Sequence, residues 1–200
     1  MHIHAPAILC SARPQAETAV IARLLTADHG MIAAYVAGGR GRQLRPIVIP
    51  GNLVDAELRS KSDSQLPFAR LELVESRGPW LGEPLPAAAI QWVCAFTATV
   101  LPERQAYPSI YDALSALLAA ICHAPSARGW AGGLVTYEAL VLRELGYGGA
   151  GRPKGPDLAD ALSAFDALSV PLERYLLADR RGDVMAARAI LRDRLGRIES

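Results

Sequence analysis

Residues 18–36 read TAVIARLLTADHGMIAAYV. Two apolar runs, Thr18–Thr26 and Met31–Val36, flank Asp28-His29-Gly30, residue types that accept the backbone angles of a tight reversal. The pattern predicts two strands joined as a hairpin. Upstream, Ala5–Ser11 is a further apolar run. Downstream, Leu53–Arg59 alternates, with Leu53, Asp55, Glu57 and Arg59 on a mostly polar face and Val54, Ala56 and Leu58 on the other. Phe68–Val74 repeats the alternation, with Phe68, Arg70 and Glu72 opposite Ala69, Leu71 and Leu73. Five short strands with no helical periodicity between them predict a small closed barrel.

After Pro79 the period changes from two to about 3.6. Ile90, Val93, Cys94, Thr97 and Leu101 share the face of a helix that opens at Pro86 and stops at Pro102, and the Thr97 hydroxyl can bond back to its own helix. Ser109, with Asp112 at the capping-box position, is placed to start a second helix striped by Ile110, Leu114, Leu117, Leu118 and Ile121. A third runs from about Trp130 to Leu145, with Leu134, Tyr137, Val141 and Leu145 in line, and ends at Gly146. Gly148–Pro156 is rich enough in glycine and proline to predict loop. Beyond it, Leu158–Phe165 forms a short amphipathic turn or helix and Pro171 opens another through Tyr175. Asp183 can cap a last helix whose Val184, Ala187, Leu191 and Leu195 face inward, with Arg188 and Arg192 on its outer face. The expectation is an α+β chain, residues 1–78 forming the barrel domain and residues 79–200 a helical one.

Of 200 residues 51% are apolar and 20% charged, within the globular range. The formal net charge of +1 gives no general attraction to a polyanion, so nucleic acid or anionic lipid must be met by a local patch. Only Lys61 and Lys154 are lysines, the other basic residues being arginine. That preference suits bidentate contact with phosphate or carboxylate, and equally reflects a GC-rich coding sequence. Cys10, Cys94 and Cys122 are widely spaced without a CxxC, which reads as buried thiols in a reducing compartment and not as a disulfide framework or zinc site. The N-terminal residues lack the basic flank of a secretory signal. Pro84–Pro102 is uncharged and close to spanning length, but its three prolines, its polar Gln91, Thr97 and Thr99 and its flanking Glu83 and Glu103 predict a buried helix and no membrane association.

For catalysis the sequence offers little. His2, His4, His29 and His123 have no neighbouring carboxylate in a recognisable pattern, and there is no GxSxG, HExxH or GxxxxGK. His2 and His4 could meet a metal, but a loose terminus without a third ligand is a poor site. No catalytic residue, metal or cofactor is expected.

The strongest local signal lies between the third and fourth strands. Residues 29–54 contain no Asp or Glu, while Arg40, Arg42 and Arg45 are interleaved with Gly38, Gly39 and Gly41. A basic, glycine-rich loop on a small barrel lets the backbone approach a phosphate while arginines neutralise it. The bland alternative is a solvated loop with surplus arginine. Arg174–Arg197 forms a second, accessory basic stretch, more simply read as the wet face of a helix. Trp80, Trp92 and Trp130 could stack on bases but sit where core residues belong.

In this order of residues, AILCSARPQAETAVIARLLTADHG (residues 7–30), YVAGGRGRQLRPIVIPGNLVDAELRSKSDSQLPFARLELVES (residues 35–76) and YEALVLRELGYG (residues 137–148), the chain resembles the RecO family of bacterial recombination mediators. The resemblance implies an N-terminal five-stranded OB-fold barrel and an all-helical C-terminal domain acting without nucleotide hydrolysis. It further implies binding of single- and double-stranded DNA, annealing of complementary strands, and work with RecR and the C-terminal tail of single-strand binding protein to load RecA on gapped DNA. The DNA-facing residues would be Arg40, Arg42 and Arg45, with Arg13 and Lys61, in a cytoplasmic, nucleoid-associated protein. Many relatives carry a cysteine-rich zinc-binding insertion after the segment matching LGYG; residues 149–156 here contain no cysteine, so no zinc is expected. The rival reading is a barrel-plus-helix adaptor for protein partners, with incidental DNA contact.

Overall fold

The first strand organises the barrel. In the computed structural model, which describes residues 1–15, 17–62, 64–148, 155, 157–178 and 184–199, β1 runs His2–Pro14 and is shared by two neighbours. Its first half pairs with β4 (Leu53–Arg59), from His2 opposite Arg59 to Ile8 opposite Leu53. Its second half pairs with β2 (Val20–Thr26), the register slipping between Leu9 and Ser11. Such a bulge bends and twists a strand, which lets one long strand belong to two walls. β2 forms the expected hairpin with β3 (Gly30–Val36), and β5 (Phe68–Glu75) closes the barrel, antiparallel to β4 and parallel to β3 at Tyr35–Phe68. The order β1-β2-β3-β5-β4 is that of the OB fold, as expected.

The alternation translates into burial. Val54, Ala56 and Leu58 point inward with Ala7, Leu9, Val20, Ala22, Leu24, Ile32, Ala34, Val36 and Leu71. Five strands enclose a narrow interior, so alanines sit beside large residues, and each fully buried Leu or Ile contributes about 1.5–3 kcal/mol relative to exposure. β1 is longer than its apolar run predicts. His2 and His4 are not on a loose terminus but on its outer face, their Nε2 atoms 3.1 Å from Glu57 Oε1 and 2.8 Å from Asp55 Oδ2.

The chain forms two compact units, Met1–Gly82 with Leu101–Tyr111, and Glu83–Val100 with Asp112–Ser200. The return of residues 101–111 to the barrel has no counterpart in a single division near residue 79. They lie along the edge of β3 that β5 leaves unpaired. The Arg104 amide donates to Met31 O (2.8 Å), the Ala33 amide donates to Glu103 Oε2 (3.0 Å), and Arg23 Nη2 lies 2.9 Å from Glu103 Oε1. Gly30, with φ +69°, makes this approach possible, since a Cβ there would overlap the Gln105 carbonyl.

The second unit contains α1 (Pro84–Val100), α2 (Pro108–His123) from Asp112 onward, α3 (Ala131–Glu144), α4 (Leu158–Pro171) and α5 (Val184–Glu199). Pro108 is already helical, so Ser109 falls inside the first turn of α2 and is not its cap. Thr97 donates to Val93 O as expected and lies 2.5 Å from the Tyr137 hydroxyl. Pro171 does not open a separate helix. It lies inside a helical run that widens into a π-helical turn over Leu172–Leu177, the accommodation expected where a proline removes one backbone donor. Among the described residues no helix is long and apolar enough to cross a membrane. The predicted loop at residues 148–156, apart from Gly148 and Gly155, and the Asp183 cap lie outside the described residues.

One expectation in this unit is overturned. Arg188 is not on the wet face of α5 but 4% exposed. Its Nε and Nη2 donate to Glu138 Oε1 (3.0 Å) and Oε2 (2.7 Å), Nη2 also donates to Phe165 O (2.5 Å), and the guanidinium lies 3.6 Å from the Phe165 ring centroid. Trp92 Nε1 donates to the same carboxylate at 2.8 Å. Full burial of Glu138 demands such partners, because an unpaired charge in a low-dielectric interior is costly. Trp92 and Trp130 are accordingly core residues.

Candidate nucleic-acid interface

The arginine loop connects β3 to β4 and is pinned along its length. Gly38 has φ +68°, and Gly39 packs so closely that a Cβ would lie 2.7 Å from Val20 Cγ2. The Arg40 amide donates to Thr18 O (2.8 Å), the Gly41 amide to Gly38 O (2.7 Å) and the Arg45 amide to Gly41 O (2.9 Å). Leu44, Ile47 and Val48 turn inward against the barrel core, so the apolar loop residues act as anchors. Beneath them Asn52, fully buried, donates from Nδ2 to Pro46 O (3.1 Å) and Ile47 O (2.9 Å), while its Oδ1 accepts the Arg77 amide (2.7 Å). One side chain thus ties the far end of the loop to the end of β5.

On this fixed backbone Arg40, Arg42 and Arg45 are exposed. Arg40 and Arg45 line one groove of about 340 Å³ with Ala12, Pro14, Val20, Gly39 and Val48. Arg13, exposed on β1 between Ala12 and Pro14, falls on the opposite face by the alternation of the strand. Lys61 is elsewhere, in the β4–β5 loop, where it lines a groove of about 640 Å³ with Arg59, Ser60, Gln65, Leu66 and Phe68. Of the sequence-selected residues the structure therefore brings Arg40 and Arg45 together on one groove, carries Arg42 on the same loop, and leaves Arg13 and Lys61 apart.

Charge separates these five residues, together with Arg104, from the other arginines of the barrel unit. Arg23, Arg59, Arg70 and Arg77 lie beside Glu103, Glu57, Glu72 and Glu75. Among the described residues no carboxylate lies within salt-bridge distance of Arg13, Arg40, Arg42, Arg45 or Lys61. Arg40 Nη1 donates to the Glu17 carbonyl at 3.3 Å; the other guanidinium donors of the loop, with no carboxylate beside them among the described residues, are left for an external anion.

Three arginines of the accessory C-terminal stretch are neutralised by carboxylates. Arg188 is buried on Glu138, Arg192 forms a bidentate pair with Asp166 at 2.6 and 2.7 Å, and Arg197 lies 2.7 Å from Asp193. That bidentate pair holds the Asp166 carboxyl below its ordinary range. Arg180 and Arg181 lie outside the described residues. Sequence reasoning also passed over Phe68, 64% exposed on a strand face otherwise carrying Arg70 and Glu72; an aromatic in that company was the available signal.

An OB-type barrel bearing an exposed arginine loop, followed by a helical unit, defines a two-part α+β class of protein. The chain belongs to the RecO family: residues 1–77 match the family model described as Recombination protein O N terminal, and residues 84–149 the model described as Recombination protein O C terminal. It is similar to proteins named DNA repair protein RecO from Rhodospirillum centenum (40% identical over 143 residues, 71% of this chain and 56% of the relative). Similar proteins of that name occur in Phenylobacterium zucineum (37% over 149 residues, 74% and 60%) and Caulobacter vibrioides (38% over 143 residues, 71% and 58%). The matched region spans somewhat over half the length of these relatives.

Proposed function

We propose that this chain is a non-enzymatic DNA-binding recombination mediator in DNA repair. The observation that carries the reading is the pinned loop presenting Arg40, Arg42 and Arg45 with no carboxylate in salt-bridge distance among the described residues, two of them across one groove. Each guanidinium that replaces a condensed counterion on a phosphate adds a salt-dependent, sequence-independent increment to affinity. Because the backbone carrying them is already ordered, little conformational freedom remains to be lost on binding. Neutralising phosphates on two strands lowers their repulsion, which is the step annealing needs. The names of the relatives support a repair role. In this reading the protein contacts single- and double-stranded DNA, works with RecR and the C-terminal tail of single-strand binding protein to load RecA on gapped DNA, and resides in the cytoplasm with the nucleoid.

Titrating salt against binding to labelled single-stranded, double-stranded and gapped oligonucleotides of unrelated sequence tests this. Binding that weakens linearly on a log-log plot, with similar slopes across sequences, supports phosphate contact. Negligible affinity for all three at ordinary salt overturns it in favour of a protein-binding adaptor.

A further inference from the structure

The larger groove on the barrel has a different chemistry from the arginine loop. Its lining is Arg59, Ser60, Lys61, Gln65, Leu66 and Phe68, without a carboxylate among the described residues. Phe68 is 64% and Leu66 42% exposed. Singly exposed apolar side chains are ordinary, but here two share one concavity with a lysine. The Phe68 ring does not hang loosely. It meets Tyr35 edge to face, centroids 5.2 Å apart and planes at 70°, and the preceding residue, buried Pro67, accepts the Tyr35 amide at 2.8 Å. The loop before it is tied to itself, Ser60 Oγ donating to Ser62 O at 2.7 Å and the Gln65 amide to the same carbonyl at 3.3 Å. Arg59, also exposed, is engaged by Glu57, its Nε 3.0 Å from Oε1, whereas Lys61 has no carboxylate within salt-bridge distance among the described residues.

We propose that this groove is a base-stacking subsite for single-stranded nucleic acid, with an unpaired base on the Phe68 ring and its phosphate on Lys61. Three properties select that occupant. A fixed, exposed aromatic face suits any base, because every base has a π-face, whereas a paired base in a duplex has both faces covered. Leu66 supplies an apolar wall, Ser60 and Gln65 supply donors and acceptors for a base edge, and Lys61 supplies the charge a phosphate requires. The groove's volume, about 640 Å³, accommodates a nucleotide. It also adjoins the β4–β5 loop, one of those by which OB folds hold oligonucleotides. The subsite rests on the DNA-binding reading and adds to it a preference for unpaired strands that arginine–phosphate contact alone does not create.

The full chain, with Phe68 replaced by Ala, Leu, Tyr or Trp, is titrated with an oligothymidylate, with an abasic oligomer of equal length and with a duplex. Phe68→Leu keeps apolar bulk on the strand and guards against a folding defect in Phe68→Ala. Phe68→Leu and Phe68→Ala are expected to weaken oligothymidylate binding roughly 5- to 150-fold with an unchanged salt slope, and to leave abasic and duplex binding at wild-type level. Phe68→Tyr and Phe68→Trp keep the affinity, and Lys61→Ala lowers the slope by about 0.7. Wild-type oligothymidylate binding by folded Phe68→Leu, or an equal loss on the abasic strand, overturns the subsite and assigns the patch to another occupant such as a protein. If Phe68→Leu is silent while arginine-loop variants lower the slope, the subsite alone fails. If the wild-type chain binds no oligonucleotide, both readings fail.

Discussion

Replacing Arg188 with alanine leaves Glu138, fully buried, without its main counter-charge. The change deletes two charge-assisted hydrogen bonds to the carboxylate, the bond to Phe165 O and the guanidinium's position over the Phe165 ring. Among the described residues only Trp92 Nε1 then remains as a donor to Glu138. Breaking one side of a buried ion pair costs about 3–5 kcal/mol, against a total of about 5–15 kcal/mol for a typical domain. With a urea slope near 2 kcal/mol/M, the unfolding midpoint falls by about 1.5–2.5 M. Tryptophan fluorescence is the natural probe, since Trp92 reports on the hub itself. The pH dependence has a definite sign. Burial already pushes the Glu138 carboxyl up while Arg188 and Trp92 pull it down, so losing Arg188 raises it further. The folded variant then binds a proton more readily than its unfolded chain, and its deficit against wild type shrinks as pH falls toward the carboxylate range. Arg188→Met combined with Glu138→Leu removes both charges and recovers much of the loss. A cost below about 1 kcal/mol for Arg188→Ala, the value for an exposed helix arginine, refutes the buried pair.

Gly30→Ala combines a left-handed backbone with a Cβ that collides with the Gln105 carbonyl, so it costs at least about 2 kcal/mol by thermal unfolding; an unchanged melting temperature contradicts the docking of residues 101–111 on β3. Cys10 is 1% exposed and burial pushes its thiol up to about 12, so the native protein resists a thiol reagent at pH 8 there and reacts once unfolded; rapid native labelling at Cys10 is the contrary result. Asn52→Ala strands the Pro46 and Ile47 carbonyls and the Arg77 amide, costing about 1–3 kcal/mol and speeding hydrogen exchange at residues 45–48, while unchanged exchange shows that Asn52 does not hold the loop.

Local periodicity carried most of the fold. The inward Val54, Ala56 and Leu58 and the stripe of α2 were readable because burial follows directly from spacing within one element. The arginine loop was readable for a similar reason, its glycines and arginines being neighbours in sequence. Long-range polar pairing was not. Glu103 serves β3 from 70 residues away, and Glu138 meets Arg188 across 50. Arg188 and Arg192, one turn apart, resemble a solvated face, and nothing in their spacing shows that a buried carboxylate waits for one of them. The extent of β1 was hidden because His2 and His4 alternate with Ile3 and Ala5, and their partners on β4 are distant in sequence. Phe68 was legible only as an element of alternation, since the groove beside it is assembled from both ends of the β4–β5 loop.

Contact between the pinned loop and phosphates is tested by the salt dependence of single-strand binding in a variant with Arg40, Arg42 and Arg45 all replaced by alanine. If each guanidinium neutralises one phosphate, the log-log slope falls by about 0.7 per contact, about 2 in all, with similar losses on unrelated sequences. Stability should hold within about 0.5 kcal/mol per substitution, because the three side chains are exposed and the loop is held by its backbone and by Asn52. A folded triple variant that keeps the wild-type affinity and slope contradicts the claim and places DNA contact on another surface of the chain.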